Sequence, residues 1–302
     1  MLALGNFDGI HLGHQKLLNY VAAQARRSSG RAAVFTFREH PQAVLHPEHV
    51  PECLQSLNQR LEYFKAYGME ICFLQHFDRK FAALSAIDFV KQILVKRLAI
   101  REICLGYNAR FGNGREGDAD LLRKLGKDYG FEVFQTPPIV WKGAPISSTA
   151  VRAAVREGQM KFAANLLGRP WSLVGPVVRG EGRGKKVGFS TANVGLNGYA
   201  RPALGVYAVK IKLLKRSGKN QTGKILKGVA NFGLRPTFKV TVQPVLETHI
   251  FNFDKILYGE KVEIFFLKRL RDEKKFDSAT ELKNQIQKDI RSAKLVLKEK
   301  QK

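Results

Sequence analysis

A chain of 302 residues with 44% hydrophobic and 25% charged content has the make-up of a globular protein long enough for two ordinary domains. Its formal charge of +25 attracts polyanions, but the lysines are scattered and no aromatic-interleaved basic motif accompanies them, so a generally basic surface is expected and no specific nucleic acid. No apolar run approaches the ~20 residues of a membrane span, and the first residues already read as a strand, so neither a membrane partner nor a signal peptide is expected.

Met1 to Leu4 reads as a short buried strand, and residues 15–27 carry Leu17, Leu18, Val21 and Ala25 at helical spacing. Between them lies Gly5-Asn6-Phe7-Asp8-Gly9-Ile10-His11-Leu12-Gly13-His14. Two imidazoles three positions apart, on a glycine-bearing strand-to-helix turn, make an anion site: the free N–H groups of a helix start point at whatever is bound. Nucleotidyl transfer builds negative charge on an α-phosphate, and His11 and His14 are of the residue type that donates to it. Gly5, Asn6, Phe7, Asp8, Gly9 and Gly13 are the remaining candidates for contact with the bound phosphates.

The apolar runs at 32–36, 71–74, 103–105 and 133–134 alternate with amphipathic stretches, which predicts βαβ units and a parallel sheet. A helix over 86–98 starts at Ser85, with Asp88 three positions on as in a capping box. Gly106 to Gly112 follows the fourth strand and brings Asn108 and Phe111 to the same rim as the two histidines. Ile146-Ser147-Ser148-Thr149 opens a further helix with hydroxyls at its cap and Arg152 one turn on, a pattern suited to a leaving pyrophosphate. The cysteines Cys53, Cys72 and Cys104 form no CxxC, and two lie in strand-like runs, which predicts reduced core thiols in a cytoplasmic protein with neither disulfide nor structural zinc.

At Gly168-Arg169-Pro170 the period changes, so two domains are expected, 1–168 and 169–302. Strands are predicted at 172–178, 205–214, 225–230, 245–251 and 262–267, joined by turn residues as in an antiparallel sheet or small barrel, with a closing helix over 278–299. Residues 182–188, with Gly182, Gly184 and Gly188, form a glycine-rich loop that matches neither standard phosphate-loop pattern. Thr191 and Asn193 supply a hydroxyl and a carboxamide on one extended segment, oxygen ligands suited to Mg2+ shared with nucleotide phosphates. Glu247, a carboxylate flanked by apolar strand residues, reads by itself first as a half-exposed strand glutamate and second as a general base for a substrate hydroxyl.

Taken together, these segments resemble the bacterial bifunctional riboflavin kinase and FAD synthetase family along essentially the whole chain. The likeness also runs through Leu167-Gly168-Arg169-Pro170, Gly188-Phe189-Ser190-Thr191-Ala192-Asn193, Gly205-Val206-Tyr207, Gly233-Leu234-Arg235-Pro236-Thr237-Phe238, Glu247-Thr248-His249-Ile250-Phe251 and Leu257-Tyr258-Gly259. It implies a Rossmann-like α/β nucleotidyltransferase domain followed by an antiparallel six-stranded β-barrel kinase domain with a C-terminal helix.

The implied reactions are phosphorylation of riboflavin by ATP to FMN and adenylylation of FMN to FAD with release of pyrophosphate. The resemblance gives His11 and His14 the transition state of the second reaction, and Ser148, Thr149 and Arg152 its pyrophosphate. Glu247 becomes the base of the first, Thr191 and Asn193 the Mg2+ residues, and Gly182 to Gly188 a flap over ATP. Asn108 and Phe111, with Arg271 and Phe276 in the second domain, become flavin contacts. Two departures stand out: Ser190 occupies a place where the family has proline, and Ala109 one where an aromatic residue is usual.

Overall fold

The computed structural model describes residues 1–179, 191–196, 198–214, 225–235, 243–253, 255 and 257–298. They form two compact units, Met1–Pro51 with Leu57–Ser148, and Glu52–Ser56 with Thr149–Lys302.

The first unit is a five-stranded parallel sheet of β1 (Leu2–Leu4), β2 (Ala33–Phe37), β3 (Ile71–Gln75), β4 (Glu102–Gly106) and β5 (Glu132–Thr136), in the order β3-β2-β1-β4-β5. Alternation along each strand divides the core between the two sheet faces. Leu2, Leu4, Phe35, Ile103 and Leu105 pack with Phe89, Val90 and Leu122 on one side. Ala3, Val34 and Cys104 pack with Leu17, Leu18, Val21 and Phe64 on the other. The strand order reverses direction between β1 and β4, and ligands of open α/β sheets bind in the crevice such a reversal leaves at the carboxyl ends of the strands.

Helix α1 runs Leu12–Arg27, three residues earlier than the apolar spacing indicates, because the His11 side chain caps it. The expected helix over 86–98 starts as predicted, with Ser85 Oγ accepting from the Asp88 N–H at 3.0 Å and donating to its carboxylate at 2.7 Å. It then widens into a π-helix over Phe89–Arg97, closed by the Leu98 N–H on the Ile93 carbonyl at 2.9 Å. Its buried residues Phe89, Val90 and Leu94 recur at four to five positions, the spacing of the wider turn. A two-stranded hairpin of β6 (Val140–Trp141) and β7 (Ala144–Pro145) precedes the helix Ser148–Arg156.

The second unit is a closed barrel of β8 (Ser172–Val178), β9 (Ala192–Val194), β10 (Gly205–Leu213), β11 (Ile225–Arg235), β12 (Gln243–Ile250) and β13 (Lys261–Arg271), joined in the order β10-β11-β12-β9-β8-β13. All six pairings are antiparallel, and closure leaves no free edge. Inside, Trp171 and Tyr207 pack on Phe266 with centroids 5.0 and 5.3 Å apart. Outside, Val206, Ala208 and Val229 seat Ala293 and Leu297 of the closing helix Ala279–Lys298. The segment Glu52–Ser56 also packs in this unit: the Trp171 indole N–H donates to the Leu54 carbonyl at 3.0 Å, and the Cys53 N–H to the Gly198 carbonyl at 3.0 Å.

Candidate active sites

At the carboxyl end of β1 the backbone makes a turn that few side chains tolerate. Phe7 and Ile10 have φ of 54° and 39°, Gly9 has 82°, and both Phe7 and Ile10 are fully buried, so packing holds what conformational preference opposes. Alternate carbonyls of this turn are held by side chains. Asn6 O accepts from Arg60 Nη1 at 3.0 Å and Thr36 Oγ1 at 3.2 Å, Asp8 O from Ser148 Oγ at 2.8 Å, and Ile10 O from Gln15 Nε2 at 2.8 Å. A trans peptide points its N–H opposite to its C=O, so fixing these three carbonyls aims the N–H groups of Phe7, Gly9 and His11 the other way.

His11 ends the turn as the cap of α1. Its Nδ1 accepts from the His14 N–H at 3.4 Å, which in a neutral ring leaves the proton on Nε2. The His11 and His14 rings stack with centroids 3.7 Å apart, and Phe7 meets His14 edge-on at 5.2 Å. Gly13 permits the stack: a Cβ there would lie 3.1 Å from both Cε1 and Nδ1 of His11. Leu4 pairs with Leu105 of β4 in register, so Asn108 and Phe111 do follow the neighbouring strand end as expected. Asn108 is exposed, whereas Phe111 is 9% exposed and packs on Phe89 at 5.7 Å, more a wall of the core than a surface. Phe37, Phe77 and Phe81 extend that wall past the ends of β2 and β3.

In the helix Ser148–Arg156, Thr149 is exposed and Arg152 is buried, its Nε donating to the Glu52 carbonyl at 2.9 Å. Its Nε is therefore engaged within its own unit, where the sequence reading gave Arg152 only phosphate.

On the barrel, register places one polar row across the strands. Glu247 on β12 stands opposite Asn193 on β9 and opposite Asn231 on β11. The same row runs on through Val206 of β10 to Arg271 of β13. Val206 faces the closing helix, so the row lies on the outer face of the barrel. Asn193 is buried, and Thr191 and Glu247 are half-buried. Thr191 and Asn193 are oxygen donors close to a carboxylate, a set that fits a hard cation held largely by substrate phosphates. Among the described residues no group of three or more His, Cys, Asp or Glu could hold a metal by itself.

Arg271 forms a two-pronged pair with Asp289 of the closing helix, Nε to Oδ1 at 2.9 Å and Nη2 to Oδ2 at 2.8 Å, and lies over the Phe276 ring at 5.8 Å. Gly182, Gly184 and Gly188 lie outside the described residues. Sequence reasoning missed Thr36, Arg60, Asn231 and Asp289. The only signal for any of them was Asn231 interrupting an apolar strand.

A parallel-sheet unit with stacked histidines at its switch point, and a closed barrel with a carboxylate and carboxamides in one outer row, define a two-domain enzyme of nucleotide chemistry. Residues 1–150 match the FAD synthetase family and residues 167–297 the riboflavin kinase family. The bifunctional riboflavin kinase/FMN adenylyltransferase of Escherichia coli is 38% identical over 96% of this chain and 90% of its own. The corresponding proteins of Haemophilus influenzae and Bacillus subtilis are 36% and 34% identical, each over 97% of this chain and 92% and 91% of theirs. The chain belongs to the bifunctional riboflavin kinase/FMN adenylyltransferase family. A crystal structure described as a macrolide-efflux protein from Streptococcus pneumoniae superposes with a TM-score of 0.86 at 32% identity, covering 97% of this chain and 93% of that one. Among the described residues here, no helix is long and apolar enough to cross a membrane.

Proposed function

We propose that the chain performs both flavin reactions, each in its own domain, with residues 1–168 adenylylating FMN and residues 169–302 phosphorylating riboflavin. The observation that carries this reading is the succession of two matched families on one chain, each over a unit with its own polar constellation.

In the barrel, Glu247 accepts the proton of the ribityl hydroxyl as that oxygen attacks the γ-phosphorus of ATP, and ADP leaves. Asn193 and Thr191 would hold Mg2+ with the ATP phosphates, and the ion supplies charge neutralisation at the transferring group. Gly182 to Gly188 is the loop assigned to ATP, and Arg271 and Phe276 are assigned to the flavin side.

In the α/β domain, an FMN phosphate oxygen attacks the α-phosphorus of a second ATP, the bond to the bridging oxygen breaks, and pyrophosphate departs with no covalent enzyme intermediate. His11, through its Nε2 proton, and His14 donate to the charge that builds there. The turn from Gly5 to Gly13 receives the phosphates through its N–H groups, and the helix opening at Ser148, with Thr149 and Arg152, takes the pyrophosphate. Asn108 and the edge of Phe111 meet the flavin. Incubation of the purified protein with riboflavin, ATP and Mg2+, read separately for FMN and FAD, tests the reading. FMN should appear first and FAD second, and the absence of both from folded protein rejects it.

A further inference from the structure

Residues Glu52–Ser56 pack in the second unit, and the sequence motifs leave the first of them without a role. The Glu52 backbone carbonyl accepts from Arg152 Nε at 2.9 Å, across 100 positions of sequence. The same peptide is bonded on its other edge, where the Cys53 N–H donates to the Gly198 carbonyl at 3.0 Å. A trans peptide directs its C=O opposite to its N–H, so the bond to Gly198 turns the Glu52 carbonyl toward the helix Ser148–Arg156. The Glu52 side chain secures the tilt of that peptide. Its Oε2 accepts from the Arg201 N–H at 3.3 Å and its Oε1 lies 3.4 Å from Arg201 Nε, so residues 198–201 hold Glu52 by backbone and by side chain. Oε2 also accepts from Arg156 Nη2 at 3.5 Å. Arg152 and Arg156, four positions apart, share one helix face. Glu52 therefore meets both, the first through its carbonyl and the second through its carboxylate.

We propose that Glu52 is a positioning residue of adenylyl transfer, fixing the plane of the buried Arg152 guanidinium for the departing pyrophosphate. The proposal rests on the reading of Arg152 as a pyrophosphate contact. A guanidinium is planar and its N–H groups point in fixed directions, so a bond at Nε sets where the Nη groups are aimed. The division between the two acceptors of Glu52 suits this task. A carboxylate on Arg152 would offset its charge and repel the phosphate, whereas a neutral carbonyl orients the group and leaves the charge in place. The carboxylate is instead turned to Arg156 and Arg201, whose side chains are 57% and 63% exposed.

The test compares E52A, E52Q and R152A in the full-length protein, with FAD, inorganic pyrophosphate and Mg2+ run in the reverse direction. A pyrophosphate oxygen attacks the adenylyl phosphorus of FAD, the bond to the FMN phosphate oxygen breaks, and ATP and FMN form. E52A should raise the KM for pyrophosphate about tenfold, within the range of one hydrogen bond to a charged group, and leave the KM for FAD within about threefold. Its melting temperature should stay within about 4 °C of the parent, because exposed ion pairs stabilise little. E52Q removes the same charge but keeps an acceptor oxygen for the Arg201 N–H, so it should stay within about threefold of the parent in both constants. If R152A raises the pyrophosphate KM while E52A matches the parent, the proposal alone fails. Equal changes in E52A and E52Q also overturn it, because charge and not position is then at work. So does an E52A protein that melts earlier with both KM values raised alike, since the role is then structural. If R152A keeps the parent KM for pyrophosphate, the reading of Arg152 fails and takes the proposal with it.

Discussion

The rings of His11 and His14 lie 3.7 Å apart between centroids and 18° from parallel, so two donors separated by three positions in sequence act as one surface at the end of β1. His14→Ala should lower FAD formation by about 100-fold or more, the scale for a lost transition-state donor. Phosphorylation of riboflavin should be unchanged, because it belongs to the other unit. Chromatographic measurement of both products decides this, and an equal loss in both rates would speak against separate sites.

The stack depends on the missing side chain at Gly13. Gly13→Ala places a methyl 3.1 Å from two atoms of the His11 ring and should push that ring out of line. Displacement on this scale costs about 10- to 100-fold in the adenylyl-transfer kcat. The thermal midpoint should hardly move, since helix α1 gains a better helix former. A mutant with unchanged kcat would show that the His11 position is not critical.

Arg60 is a buried cation whose Nη1 and Nη2 bond the carbonyls of Asn6 at 3.0 Å and Phe37 at 2.5 Å, linking the turn after β1 to the end of β2. Arg60→Met leaves these acceptors without their donors and should lower unfolding stability by roughly 1–3 kcal/mol. FAD formation should fall about tenfold or more, with the loss chiefly in KM for ATP, while FMN formation persists. Arg60→Lys, which keeps one donor, should recover part of the ATP affinity. Steady-state kinetics with urea denaturation separate the two effects.

Asp289 is buried on the closing helix and accepts from both arms of Arg271 and from Gln285 Nε2 at 2.9 Å. Removing one partner of such a pair leaves the other uncompensated, so Asp289→Asn should cost about 2 kcal/mol in a urea titration of the barrel. Replacing the pair together, Arg271→Met with Asp289→Leu, should recover much of that. A double mutant as unstable as the sum of the single ones would mean the pair has no coupling.

Burial pushes the Cys104 thiol up to about 12. Its thiolate is therefore scarce at pH 8, and iodoacetamide mapped by mass spectrometry should leave Cys104 unlabelled in the native protein and label it in urea. Burial also raises Cys72, with the nearby Arg60 charge opposing the rise. Cys72 should consequently react more slowly in the Arg60→Met protein than in the parent.

The order of elements was legible because burial on two faces writes unmistakable patterns: apolar runs for β1 to β5, and β8 from 172 to 178 residue for residue. Where the pattern was faint, boundaries slipped. β11 continues past Ala230 to Arg235 and β13 past Leu267 to Arg271, because barrel pairing, not apolar content, holds those ends. The widened helix at Phe89–Arg97 carries the same apolar residues a normal helix would, and only its packing distinguishes the two.

The identity of the chemistry was in the chain itself, since glycine, imidazole, hydroxyl and carboxylate residues at fixed offsets are local facts that need no partner to be read. Folding decided which distant residues serve them. Arg60 meets Asn6 across 54 positions and Ser148 meets Asp8 across 140, and Asn193 stands opposite Glu247 only through the register of two strands. Hydrogen-bond partners chosen by a sheet's topology leave no periodic trace along a sequence, which is why the reacting groups were found first and the residues that hold them only in three dimensions.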